Sequence, residues 1–122
     1  MIITEEIGDY IKYKCPISQT VIIFILEHLL NNTFNIKFSE IIVNWEQPKL
    51  FINLLKYSLD DVQNKYHIEK LIQTVSKDEW KLMKKENFVI IKEYKIDKLD
   101  CVDISCDIEN SLQYIIDNLF GE

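Results

Sequence analysis

Long apolar runs with short polar interruptions fill the first third of the chain. In the run VIIFILEHLL at 21–30 and the residues before it, apolar side chains recur at helical spacing from Ile17 to Leu29, so the pattern predicts a buried helix beginning near Pro16 or Ser18. Residues 4–13 predict a shorter helix, although YIKYKC at 10–15 also fits an extended strand. FNIKF at 34–38 alternates like a strand, and the change of phase after Ser39 predicts a bulge or a bend.

Helix signals are clearest in the middle of the chain. Pro48 suits the first turn of a helix, and the apolar residues of 50–55 follow it at helical spacing. Asp60 and Asp61 are typical of a cap, and predict another helix across 68–75. Ser76 stands three residues before Glu79, which is the capping-box pattern, and predicts a helix from 77 to about 86.

The last third predicts two strands and a helix. FVIIKEYKI at 88–96 reads as one strand, Asp97 and Lys98 as a turn, and 99–105 as the second strand, which makes a β-hairpin near 88-105. Apolar spacing predicts a C-terminal helix over 107–119, with Gly121 as its stop. The predicted fold class is α+β, with four to six helices packed on a small, mostly antiparallel sheet of about three strands. We expect 1-122 to form a single compact domain.

Composition narrows the class of protein. A chain of 122 residues with 48% hydrophobic content can bury a core without disulfides or metal. The acidic start MIITEEIGDY is unlike a secretory signal, and the longest apolar run is far shorter than a membrane span. Three cysteines are an odd number, which favours free thiols. We therefore expect a soluble, cytoplasmic protein.

The chain contains 21 isoleucines but no alanine and no arginine, which indicates an AT-rich gene. Without arginine it has no planar fork for a bidentate grip on phosphate, which argues against phosphoryl-transfer enzymes and guanine readers. With two glycines the chain has no P-loop, GxGxxG or GxSxG motif. We predict that the protein is not an enzyme and uses no cofactor and no metal.

Negative charge is concentrated at the end of the chain. Residues 97–122 hold seven acidic side chains and one lysine, whereas residues 1–96 hold thirteen of each sign. On the predicted strand Cys101, Asp103 and Ser105 face outward and Cys106 faces inward, so the two cysteines cannot chelate one ion. This segment is either a solvated face or a docking surface for a basic partner. The candidate partner-binding residues are Asp97, Asp100, Asp103, Asp107, Glu109 and Asp117.

Two of these acidic residues also have predicted structural roles. Asp107 suits the N-cap of the last helix, and Glu109 suits the positive end of its dipole. The lysine-rich 77-98 region offers the opposite charge, but four acidic residues interleave with its lysines, so ion pairs on a helix surface explain most of it. These acidic residues are Asp78, Glu79, Glu86 and Glu93. Nucleic-acid binding through this region is the weaker prediction.

In composition the chain resembles small, acidic, cytoplasmic proteins of AT-rich accessory genes, among which bacterial immunity proteins and phage-encoded anti-defence inhibitors are prominent. The resemblance implies a protein-binding inhibitor: an immunity protein that covers a toxin domain, such as a basic nuclease-type toxin, with a complementary acidic surface. A phage or mobile-element anti-defence inhibitor is the alternative. A small enzyme or a nucleic-acid-binding protein using the 77-98 region is an alternative from a different class. We expect a protein partner with a basic surface and no membrane partner.

Overall fold

The computed structural model describes residues 1–119, with side chains through Asn118. This part of the chain forms seven strands and three α-helices. The strands are β1 (Ile3–Ile7), β2 (Tyr10–Cys15), β3 (Thr20–His28), β4 (Phe34–Ile42), β5 (Ile68–Ser76), β6 (Val89–Ile96) and β7 (Leu99–Asp107). The helices are α1 (Pro48–Lys65), α2 (Lys77–Leu82) and α3 (Ser111–Leu119). The chain divides into two units, Met1–Glu69 and Lys70–Glu122.

The first unit is an antiparallel meander with one long helix. β1 pairs with β2, β2 with β3 and β3 with β4. Gly8 takes a φ of 58° in the turn between β1 and β2, a conformation that glycine adopts without strain. The helix α1 contacts β2 and β3, and its face Phe51, Leu54, Leu55, Leu59 and Val62 is buried together with Ile11, Tyr13, Ile22, Phe24 and Ile36 of the strands.

The second unit is built on three strands in the order β5-β7-β6, with β7 antiparallel to both neighbours. Because β7 is the central strand, all six residues from Cys101 to Cys106 are buried. The hairpin β6–β7 turns through Asp97, which has a φ of 56°. The predicted hairpin near 88-105 is therefore confirmed. A C-terminal helix is present as predicted, but it begins at Ser111 instead of 107, and Gly121 lies outside the described residues.

The predicted balance of helices and strands is wrong. The described chain has seven strands and three helices, two of them longer than seven residues, instead of four to six helices on about three strands. The predicted helix over 17–29 is strand β3, and the predicted helix over 68–75 is strand β5. Asp60 and Asp61 cap nothing, because α1 continues through them to Lys65.

Several local predictions hold. YIKYKC is extended, as its alternative predicted, and Pro48 opens α1 in the first turn. In the β3–β4 register Ile23 faces Glu40 while Phe24 faces Phe38, so Ser39 is left without a partner and forms the predicted bulge. The prediction of a single domain stays a prediction. Among the described residues, no helix is long and apolar enough to cross a membrane.

Candidate partner-binding surfaces

Apart from Asp117, which lies on α3, the predicted acidic residues follow β7 from the turn before it to the connection after it. Asp97 and Asp100 lie at the turn that opens the strand, while Asp107 ends the strand and Glu109 follows it. At roughly 3.3 Å per residue, the seven steps from Asp100 to Asp107 correspond to about 23 Å. These residues therefore form separate groups at the two ends of the strand instead of one continuous acidic patch.

Besides Asp103, three of the predicted carboxylates have partners within the second unit. The Lys95 Nζ lies 3.3 Å from Asp100 Oδ1, and Lys70 forms an ion pair with Asp107. The Gln113 Nε2 donates to Asp117 Oδ1 at 2.8 Å. The two ion pairs are exposed, so each contributes little to stability and is easily exchanged for a pair with another molecule.

Asp103 is not on the surface, and the prediction that it faces outward is wrong. Its residue is 7% exposed, because β7 lies between β5 and β6. Its Oδ1 accepts a hydrogen bond of 2.6 Å from the Thr74 hydroxyl and another of 2.6 Å from the Tyr94 hydroxyl. Asp103 is thus the centre of a polar cluster that links all three strands. Cys101 and Ser105, which were also predicted to face outward, are buried as well.

The helical roles predicted for the next two acids are also wrong. Helix α3 begins at Ser111, so Asp107 is the last residue of β7 and cannot be its N-cap. Glu109 lies in the connection before the helix, outside its first turn. Both side chains are exposed, and whether they contact a partner stays a prediction.

The tip of the β6–β7 hairpin combines apolar and acidic side chains. Ile96 is 52% exposed and Leu99 is 55% exposed, and the two face each other across the strands. Asp97 is exposed in the turn between them, and the Asp100 side chain is 49% exposed. We name Ile96, Asp97, Leu99 and Asp100 the hairpin tip. Its two carboxylates were predictable from the sequence, but the exposure of its apolar pair was not, because the strand pattern places both apolar residues in a packed hairpin.

The lysines of the 77-98 region are engaged with neighbouring groups. The Lys77 Nζ lies 3.2 Å from Glu93 Oε1, and the Lys81 Nζ lies 3.8 Å from Asp78 Oδ1. The Lys85 Nζ lies 5.4 Å from the centre of the Trp80 ring. These contacts within the unit agree with the expected ion pairing and leave less positive charge for nucleic acid.

All three cysteines are free thiols. Cys101 and Cys106 are buried, and Cys15 in the first unit is half-buried. Burial, followed by the nearby Asp107 carboxylate, raises the pKa of the Cys106 thiol to about 11, so the thiol stays protonated at neutral pH. Among the residues that the structure describes, no three His, Cys, Asp or Glu side chains are grouped so that they could hold a metal ion.

Several titratable side chains of the first unit pair with one another. The Nε2 of His28 lies 2.9 Å from Asp9 Oδ1, in an exposed pair. The Tyr13 hydroxyl donates to Asp61 Oδ2 at 2.8 Å, and Lys65 lies 3.0 Å from the same oxygen. Burial, the Asp61 hydrogen bond and its charge raise the pKa of Tyr13. The hydrogen bond from Tyr13 to Asp61 joins β2 to α1.

Comparison with known proteins gives a likeness of fold. A chain in the crystal structure of the NatC complex bound to Gag peptide and CoA matches with a TM-score of 0.54 and 12% sequence identity, over 80% of this chain and 70% of that chain. No protein-family model and no curated protein sequence matches this chain. At 12% identity the likeness concerns the fold alone.

Proposed function

We propose that this chain is a cytoplasmic protein-binding inhibitor of the immunity class, which binds a basic, nuclease-type toxin domain through the hairpin tip. The observation that carries the proposal is the exposure of Ile96 and Leu99, each more than half exposed, directly beside Asp97 and Asp100. Large apolar side chains at the centre of a contact and charged side chains at its rim are the usual anatomy of a protein interface.

Charge and packing have separate tasks in this proposal. Asp97 and Asp100 attract a basic partner and speed the encounter, because complementary charge acts mainly on the association rate. Ile96 and Leu99 become buried in the complex and slow its dissociation. The ion pair between Asp100 and Lys95 is exposed, so Asp100 can exchange Lys95 for a lysine or arginine of the partner at little cost.

The other predicted residues contribute differently. Asp107 and Glu109 lie at the far end of β7 and contribute to the long-range field, as does Asp117 on α3. Asp103 supports the hairpin from inside and contacts no partner. A phage or mobile-element anti-defence inhibitor would use the same tip against a different basic protein, and the gene next to this one separates the two: a toxin gene favours immunity, and phage genes favour anti-defence.

Where the neighbouring gene encodes a toxin domain, the test uses that domain, with nuclease activity and binding kinetics as readouts. We expect the wild-type chain to inhibit the nuclease at a one-to-one ratio. Asp97→Lys with Asp100→Lys should slow association at least tenfold, and the wild-type association rate should fall steeply between low and physiological salt. Ile96→Ser with Leu99→Ser should speed dissociation and leave association nearly unchanged.

The matched control is Glu46→Lys with Asp60→Lys, which changes the net charge by the same amount on exposed residues of the first unit. If the control slows association as much as the tip variant does, only net charge matters and the tip is not the interface. No inhibition by the wild-type chain at any ratio would refute the proposal that it is the inhibitor of that domain.

A further inference from the structure

Strand β6 ends the sheet order of the second unit. Within the described part of the chain it pairs with β7 alone. Seven of its eight residues are exposed, and Tyr94 is half-buried. Its apolar side chains Val89, Ile91 and Ile96 are 63%, 52% and 52% exposed. An exposed edge strand with apolar side chains invites another strand to pair with it.

The hairpin determines which backbone groups of β6 are free. The turn has two residues, so Ile96 and Leu99 form the hydrogen-bonded pair that closes it. Hydrogen-bonded and non-hydrogen-bonded pairs alternate along an antiparallel ladder. The backbone groups of Lys92, Tyr94 and Ile96 therefore point towards β7. Those of Glu93 and Lys95 point away from the sheet, as two N–H donors and two C=O acceptors.

We propose that a second copy of this chain pairs with β6 in antiparallel orientation, in a register centred on Tyr94. The free groups of Glu93 then bond those of the partner's Lys95, and by symmetry Lys95 bonds the partner's Glu93, which satisfies all four groups in each copy. Opposite charges face each other at both pairs. Tyr94 faces the partner's Tyr94, and Ile96 covers the stem of the partner's Lys92.

The sequence of β6 selects this register. Two residues that face each other in an antiparallel pair lie on the same side of the sheet. In a symmetric pair the residue at the centre must therefore face the same residue of the other copy, and the symmetry axis passes between the two. An axis at Lys92 or Lys95 sets two lysines against each other, and an axis at Glu93 sets two glutamates against each other. An axis at Ile96 would need Asp97 as a pairing residue, but Asp97 lies in the turn with a φ of 56°. Within the strand, only an axis at Tyr94 places an uncharged pair at the centre and opposite charges on both flanks.

Other features limit the strength of the contact. The register with β7 shifts between Ile90 and Lys92, and a bulge at Ile91 confines regular pairing to the five residues from Lys92 to Ile96. Glu93 forms an exposed ion pair with Lys77, and Lys95 forms one with Asp100. These pairs within each copy compete with the pairs between copies. Such a short interface lies at the small end of specific contacts, so we expect a dissociation constant on the order of micromolar or weaker.

Sedimentation of the purified full chain over a range of concentrations measures the dissociation constant of the dimer. The single variants Glu93→Lys and Lys95→Glu each place like charges opposite each other at both 93–95 pairs of the dimer. Each should therefore raise the dissociation constant at least tenfold. The swap Glu93→Lys with Lys95→Glu restores opposite charges and should return the dissociation constant to within about threefold of wild type. A thermal midpoint for each variant shows that it is folded.

Cross-linking tests the register in a Cys15→Ser background. Lys92→Cys chains mixed with Ile96→Cys chains should form disulfide-linked pairs, because these positions face each other only in the Tyr94-centred register. Either variant by itself should cross-link at least tenfold less. A monomer at every concentration, a dimer insensitive to both single variants, or equal cross-linking in the unmixed samples would overturn the proposal. In the first case a strand of another protein is the remaining occupant of the edge. None of these outcomes depends on the toxin domain.

Discussion

At the residue scale, Asp103 illustrates how position in the sheet decides the role of a side chain. An aspartate in an acidic segment is usually solvated, and its neighbours in sequence gave no sign of another role. The structure places it in the central strand of the second unit, where two hydroxyl groups bond one of its oxygens. Its partners lie 29 and 9 residues away in the sequence, on β5 and β6, so no local pattern could have revealed them.

We expect Asp103→Ala to lower the free energy of unfolding by about 2–3 kcal/mol, because it removes two hydrogen bonds to a charged oxygen of a side chain in the central strand. Asp100→Ala is the matched control, since it removes an exposed ion pair and should cost less than about 1 kcal/mol. Urea unfolding of both variants measures the difference. Equal losses would mean that the buried cluster contributes nothing beyond an ordinary surface pair.

The raised pKa of Cys106 predicts that the folded chain loses stability at alkaline pH. Its pKa is raised from the ordinary 9.0 to about 11 in the folded chain, so the folded state holds the proton more tightly than the unfolded state does. The contribution is complete below pH 9 and is lost as the pH rises from 9 to 11. Relative to Cys106→Val, the wild-type chain should therefore lose about 1–2 kcal/mol between pH 8 and pH 10.5. A difference that stays constant across this range would contradict the assignment.

At the scale of elements, sequence patterns predicted features that depend on a few adjacent residues. They failed where pairing with neighbouring strands decides between helix and strand. Most of β3 is TVIIFIL, with apolar side chains on both faces, and every residue of this run is buried or half-buried. A continuous apolar run satisfies helical spacing as well as it satisfies a doubly covered strand, so periodicity could not separate them. The bulge at Ser39 and the Pro48 helix start were predictable, because each depends on a few adjacent residues.

The capping box at the start of α2 was also predictable, because it depends on two residues that are three positions apart. The Ser76 hydroxyl accepts from the Glu79 N–H at 3.0 Å, and the Glu79 carboxylate accepts from the Ser76 N–H. Ser76→Ala should lower the free energy of unfolding by about 1 kcal/mol, because it leaves a helix donor without its acceptor. Ser39→Ala, at an exposed strand position, should change it by less than about 0.5 kcal/mol. Comparable losses in chemical denaturation would show that the cap adds no stability.

At the scale of the whole molecule, the charged residues of the candidate site were predictable from the sequence, and its apolar residues were not. Net charge and its concentration after residue 96 can be counted from the sequence, and they identified the two carboxylates of the hairpin tip. The distance between the tip and the Asp107 end of β7 depends on the extended conformation of 99–107, and the exposure of Ile96 and Leu99 depends on what the fold leaves uncovered. Neither quantity is contained in the order of residues alone.

The charge of the whole molecule predicts weak binding of polyphosphate ligands. The chain has a net charge of −6 and no arginine, and the lysines Lys77 and Lys81 are held in ion pairs. A ligand present at 100 times its dissociation constant stabilises the folded state by about 2.7 kcal/mol, which raises the thermal midpoint by several degrees. We therefore expect the midpoint with millimolar ATP to equal the midpoint without it. A rise of several degrees would contradict this prediction and would show that the remaining lysines form a phosphate site.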